Sequence, residues 1–243
     1  MNIILIGCEF AGKTTLAAEI VEWSEENLGS SSHFHDHFTI PSTELTAEAG
    51  ASYKAAHPQV KEMFQRFMIS YHLSAGFYGA PDHHLMGCHI EEAVYAPLYY
   101  GYGGPDPGSP MRSPEGQRTE MARHMEEEIL QRAPNSVLVL MKATPEVIRA
   151  RMAANYFPDA ATVERQKRSK LFGEPTRGVV QDKDVEYVLT RFQEEFDASL
   201  IGNKLVLDTT GASVEETLAE FLKGVTPLLS EADQARMAEQ KGR

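Results

Sequence analysis

Residues 7 to 14 read Gly7-Cys8-Glu9-Phe10-Ala11-Gly12-Lys13-Thr14, two glycines with four residues between them followed at once by a lysine and a hydroxyl. That spacing suits a backbone turn whose amide N–H groups point at a polyphosphate, with the adjoining helix N-terminus favouring negative charge. Lys13 is placed to reach the β- and γ-phosphates, Thr14 to ligate Mg²⁺, and Thr15 to complete the loop. The chemistry is the binding of a nucleoside triphosphate, ATP with Mg²⁺.

Phosphoryl transfer needs cations on the equatorial oxygens more than it needs covalent help. Guanidinium groups do this well because they pair bidentately with phosphate. Between Glu164 and Arg177 five bases (Arg165, Lys167, Arg168, Lys170, Arg177) stand against two acids, inside a chain of formal charge −12. Arg165 and Arg168 are three apart and share a face if the segment is helical; Arg151 is a third candidate, and a solvated charge run is the alternative reading. Glu91 or Glu92 is expected at the carboxyl end of a third strand, where a carboxylate could hold a Mg²⁺-bound water or accept the acceptor's proton. A surface helix-cap acid is the alternative there.

For the acceptor, Asp36 or His37 at the end of a second strand, Arg66 on an aromatic-rich helix, and Tyr95 beside a Gly/Pro loop are the candidate contacts. The spacing of Phe64, Phe67 and Tyr71 favours core packing over a ring-stacking role. His33, His35 and His37 share one strand face; a metal there lacks an evident further ligand. Cys8 and Cys88 each close a predicted strand, so a redox pair is conceivable and two inert thiols the simpler reading.

The elements that must position these groups alternate. Strands are expected at 2–6, 33–39, 84–89, 136–143 and 204–209, and helices at 13–27, 58–75, 115–132, 145–155, 182–200 and 213–229. Alternating βα units imply a parallel sheet with helices on both faces and a ligand at the carboxyl ends of the strands. Residues 101–116 form a Gly/Pro-rich stretch too long for a plain connector, and about 156–181 form a basic insertion. The tail 230–243 reads as a solvated helix or frayed end. With 243 residues, 42% hydrophobic and 24% charged, the chain fits one domain spanning 1–243. Its acidity argues against a nucleic-acid partner, and no apolar run is long enough for a membrane span. A cytoplasmic protein is expected, with a homodimer as a possible assembly.

Together these pieces resemble the nucleoside-monophosphate kinases, the thymidylate-kinase branch in particular. The loop Gly7–Thr15, the phrase Thr144-Pro145-Glu146-Val147-Ile148-Arg149-Ala150-Arg151-Met152 after a hydrophobic strand, and Leu205-Val206-Leu207-Asp208-Thr209-Thr210 before Ser213-Val214-Glu215-Glu216 carry the likeness. The resemblance implies an α/β P-loop NTPase fold, a three-layer sandwich on a mainly five-stranded parallel sheet with a helical lid at the basic insertion. It implies that Glu9 touches the acceptor's sugar, and that the lid supplies the arginine this loop lacks at Phe10. The sequence departs from the family at two places. Met86-Gly87-Cys88-His89-Ile90-Glu91-Glu92 has no Asp-Arg pair, and Asp36-His37-Phe38-Thr39-Ile40-Pro41 has no Arg-Glu-Pro.

The expected function is phosphoryl transfer from ATP to a small acceptor, a nucleotide or nucleoside. The alternatives are a kinase of another hydroxylated metabolite, an ATPase or nucleotide-switched regulator, or a fold that has lost catalysis. No Asn-Lys-x-Asp or Asp-x-x-Gly signature supports the regulator.

Overall fold

In a computed structural model, the described residues are 1–29, 34–36, 46–103, 115–156 and 178–242. The bases Arg165 and Arg168, residues 33 and 37–39 of the expected second strand and most of the Gly/Pro stretch lie outside them. Five strands, β1 (Asn2–Ile6), β2 (Phe34–Asp36), β3 (His83–Met86), β4 (Val137–Lys142) and β5 (Asn203–Asp208), form one sheet in the order β2-β3-β1-β4-β5. Every pairing is parallel, with Ile4 opposite Leu85 on one side and Leu138 on the other.

The register follows from burial. Ile3, Ile4, Leu5 and Ile6 are all buried, as are Val137 to Met141, because both faces of the central strands are covered by helices. α1 (Lys13–Leu28) follows β1 directly and turns Leu16, Ala17, Ile20 and Val21 into the core. α2 (Ala47–Ala55), α3 (Pro58–His72), α4 (Cys88–Tyr95), α5 (Glu115–Arg132), α6 (Pro145–Tyr156), α7 (Val185–Ala198), α8 (Val214–Val225) and α9 (Glu231–Lys241) complete the described helices. None of them is long and apolar enough to cross a membrane.

Three expectations are corrected. The third strand stops at Met86 rather than residue 89: the Gly87 N–H closes the ladder on Leu5 O at 2.7 Å, and Cys88, at φ 50, already opens α4. Glu91 and Glu92 therefore sit on a helix, one turn in from the strand end. The tail is a mostly exposed helix, as one of its two readings has it, and its start is anchored rather than frayed. α9 is capped by the Ser230–Asp233 box and packs on α1, and Arg236 holds Asp82 through two bonds of 2.7 and 2.9 Å.

The third correction concerns α3, whose aromatic side faces outward. Lys61, Glu62, Gln65 and His72 face inward beside the fully buried Ile69, while Met63, Phe67 and Tyr71 face outward, with Phe67 65% exposed. The aromatic spacing that suggested a core marks an outer surface instead, because the inner face of α3 lines a polar interior shared with α4. In that interior the Tyr53 hydroxyl of α2 donates to Lys61 O and accepts from Gln65 Nε2.

Candidate functional site

The turn between β1 and α1 lies at the carboxyl edge of the sheet, where the topology of parallel sheets puts ligands. Gly7, at φ 142, passes so close to β4 that a Cβ would stand 2.4 Å from Met141 O. Phe10 takes φ 67, an uncommon conformation for a bulky residue. Its carbonyl is clamped: Arg151 Nη1 donates to Phe10 O and to Thr209 Oγ1, both at 3.0 Å, and Nη2 donates to Thr209 O at 2.6 Å. Thr209 Oγ1 in turn donates to Ala11 O at 2.9 Å. Arg151 of α6 and Thr209 after β5 thus fasten the loop to the sheet. Arg151 was expected over phosphates; here its fork is committed to main-chain and hydroxyl oxygens.

Lys13 is the first residue of α1 and is buried. Its Nζ lies 2.9 Å from Glu91 Oε1 and donates to Gly7 O at 2.6 Å. Burial alone would lower its pKa, but the Glu91 carboxylate outweighs this and holds it above the ordinary lysine value. Thr14 is exposed at the same helix end, its hydroxyl accessible for Mg²⁺. A Gly7 without room for a side chain, a buried ammonium and an exposed hydroxyl at one helix start fit a Mg²⁺-bound triphosphate.

Helix α4 delivers the carboxylates and is held from behind. Buried Glu126 of α5 accepts from Ser199 Oγ and Leu200 N, each at 2.8 Å, meets Arg123 Nε at 2.9 Å, and lies 3.3 Å from His89 Nε2 of α4. Next to Glu91, the Glu92 carboxyl is buried and hydrogen-bonded to Tyr102. Burial raises its pKa to about 7, against the pull of the Arg66 charge.

Tyr95 is where the sequence put it only in part. It is buried, its ring set edge-on to Phe192, and its hydroxyl accepts the Glu9 N–H at 3.1 Å. It supports the loop from below rather than offering a free face to an acceptor. Glu9 itself is tied by Val180 N, which donates to its Oε2 at 2.8 Å. Burial raises the Glu9 pKa, and the bonds from Val180 and Val179 oppose it.

Arg66 pairs with Glu62 at 2.8 Å, and its Nε has no hydrogen-bond partner among the described residues. Beside it Gln65, 2% exposed, leaves Oε1 likewise without a partner there. The sequence singles out Arg66 but gives no role to Gln65, and the loop-holding roles of Thr209 and Gly178 are not among its expectations. Only the polar residues of α3 at 61, 62 and 65, out of phase with its aromatics, could have signalled an inward polar face. Asp36 ends β2, and His35 packs against His72, His83 and Phe77. Among the described residues no group of three or more His, Cys, Asp or Glu could hold a metal ion. Cys8 and Cys88 are buried thiols in no disulfide, and burial pushes the Cys8 pKa up to about 12, far from a reactive thiolate.

No protein-family model matches the chain, and no curated protein matches it. Two solved structures are similar in fold. The deoxyadenosine kinase of M. mycoides, with bound dATP, is 13% identical at a TM-score of 0.53, covering 93% of this chain and 100% of its own. The YorR protein of Bacillus subtilis, in complex with phosphorylated GDP, is 14% identical at 0.51, covering 95% and 100%. The fold is therefore shared with these two structures: a five-stranded parallel sheet flanked by helices.

Proposed function

We propose that the chain is a phosphotransferase that moves the γ-phosphoryl group of Mg²⁺-ATP to a hydroxyl of a small acceptor, a nucleoside in preference to a nucleotide. The observation that carries this reading is the buried Lys13 ammonium at the mouth of the glycine turn, with Glu91 2.9 Å away. Mg²⁺-ATP, when bound, supplies the phosphoryl group and neutralises charge on it. Lys13 is placed to bind the β- and γ-phosphates, the loop amides of Gly7 to Thr15 to cradle them, and Thr14 to ligate the metal. The Glu91 carboxylate is placed to receive the proton leaving the acceptor hydroxyl as its oxygen bonds to phosphorus and the bond to ADP breaks. Arg165 and Arg168 enter this reading on sequence alone, as cations over the transferring group.

Charge favours the nucleoside. Among the described residues around Glu91, Lys13 is already paired with Glu91 and Arg66 with Glu62. A monophosphate would bring about two more negative charges into that surround, whereas a nucleoside brings none. The deoxyadenosine kinase among the similar structures points the same way. The likeness to thymidylate kinases carries no further than a phosphate-loop kinase, because neither similar structure belongs to that branch by description.

The test is a panel of nucleosides and monophosphates with Mg²⁺-ATP, read by mass detection of the phosphorylated product. Transfer to a nucleoside supports the reading. ADP formation at one rate with and without every acceptor would favour the ATPase alternative, and transfer only to a sugar or other hydroxylated metabolite would redirect the acceptor.

A further inference from the structure

The Glu9 carboxylate is wrapped by main chain. Val180 N donates to Oε2 at 2.8 Å, and the Val179 N–H adds a second bond. Two consecutive amides on one carboxylate form an anion-binding concavity of the kind that backbone nests provide. The approach depends on Gly178: a Cβ there would stand 2.5 Å from Glu9 Oε2 and 3.0 Å from Phe10 Cε2. The same segment is tied on its far side, where Gln181 N donates to the Tyr99 hydroxyl at 3.3 Å and that hydroxyl donates to Asp184 Oδ2 at 3.0 Å. Val180 also buries its side chain in the core.

We infer that Glu9 is a positioning residue, whose carboxylate binds the Val179 and Val180 amides and thereby locks residues 178–181 onto the crown of the phosphate loop. The crown is then held on three sides. Tyr95 takes the Glu9 N–H, Arg151 takes the Phe10 carbonyl, and the 178–181 segment covers the Glu9 side chain and the Phe10 ring. This arrangement keeps Phe10 at its positive φ, so that the loop amides stay aimed at a phosphate. The role differs from a contact with the acceptor's sugar: a carboxylate already accepting two main-chain N–H groups is spent on holding the loop. The kinetic consequence rests on the proposed phosphotransfer; the structural lock does not.

Two measurements separate these. Amide hydrogen exchange in the free protein reads the lock directly. Protection of Val179 and Val180 is expected to fall at least tenfold in Glu9→Ala and Gly178→Ala, and to be largely kept in Glu9→Gln, whose amide oxygen still accepts. Unchanged protection in both Glu9→Ala and Gly178→Ala would overturn the inference. In the transfer assay the same two variants should raise the KM for Mg²⁺-ATP about tenfold and leave the acceptor KM unchanged, with rescue in Glu9→Gln. A raised acceptor KM with normal ATP KM in Glu9→Ala, and wild-type kinetics in Gly178→Ala, would make Glu9 a sugar contact and overturn the inference. Should wild-type protein transfer no phosphate, the proposed function fails while the exchange result still decides the lock. Should Glu9→Ala not fold, Gly178→Ala and Glu9→Gln carry both measurements.

Discussion

Lys13 and Glu91 form an ion pair in which both side chains are nearly excluded from solvent, 8% and 9% exposed, with Nζ and Oε1 2.9 Å apart. The lysine opens α1 and the glutamate lies in the first turn of α4, so the pair joins the glycine loop to the helix that carries Glu91 and Glu92. A buried pair contributes little against apolar replacements, but removing one partner strands the other. Lys13→Ala is therefore expected to abolish transfer and to destabilise by about 3–5 kcal/mol, since it leaves Glu91 buried and unpaired. The double change Lys13→Met with Glu91→Gln is expected to recover most of that stability and none of the activity. Urea midpoints and initial rates on the three proteins check this, and transfer by the double variant would remove Lys13 from the mechanism.

Arg151 offers a second separation. Its guanidinium spans Phe10 O, Thr209 Oγ1 and Thr209 O, a three-point contact that an ammonium cannot reproduce. Hydrogen bonds from a charged donor contribute about 1.5–3 kcal/mol. Arg151→Ala and Arg151→Lys should both lower thermal stability by roughly that amount and raise the KM for ATP, because the loop crown loses its tether. A guanidinium acting on the transferring phosphoryl group would instead lower kcat with stability untouched.

Glu92 makes the stability depend on pH. Burial lifts its pKa from 4.5 to about 7, so the folded protein binds this proton more tightly than the unfolded chain does. The contribution is fully present below pH 4.5 and is lost as pH rises through 7, on the order of 2–3 kcal/mol across the window. Glu92→Gln keeps a partner for Tyr102 and carries no titration. The unfolding free energy of wild type, measured from pH 5 to 8, should therefore fall relative to that of the variant, and parallel curves would show that Glu92 does not titrate there.

Much of the fold was legible because its signals are local. The apolar run Ile3–Ile6 before Gly7, and Val137–Met141 before Thr144-Pro145, read as strands and helix starts since central parallel strands are buried on both faces. The glycine loop was legible for the same reason: its chemistry is carried by contiguous residues. What was not legible depends on distant partners. Nothing near Arg151 announces Thr209, fifty-eight residues away, and nothing near Glu9 announces Val180, one hundred and seventy-one residues away. The end of β3 was misread because Cys88 and His89 continue a run that also suits a strand, while the Gly87 bond to Leu5 O that closes the ladder is a tertiary fact. On α3 the periodicity was sound and its sense was wrong, because a helix that lines a polar pocket can turn its aromatic side outward.

That arrangement gives the last prediction. Gln65 is buried beside Arg66 on the inner face of α3, its Nε2 donating to the Tyr53 hydroxyl at 3.3 Å and its Oε1 without a partner among the described residues. A buried amide oxygen left open costs about 1–3 kcal/mol, a cost that a ligand N–H can offset. Gln65→Leu keeps the volume and removes the polar atoms. It should raise the acceptor KM about 10- to 100-fold, leave the ATP KM unchanged, and leave stability equal or slightly higher. A purely structural glutamine would behave otherwise: loss of its bond to Tyr53 would lower the melting temperature and leave the acceptor KM where it was.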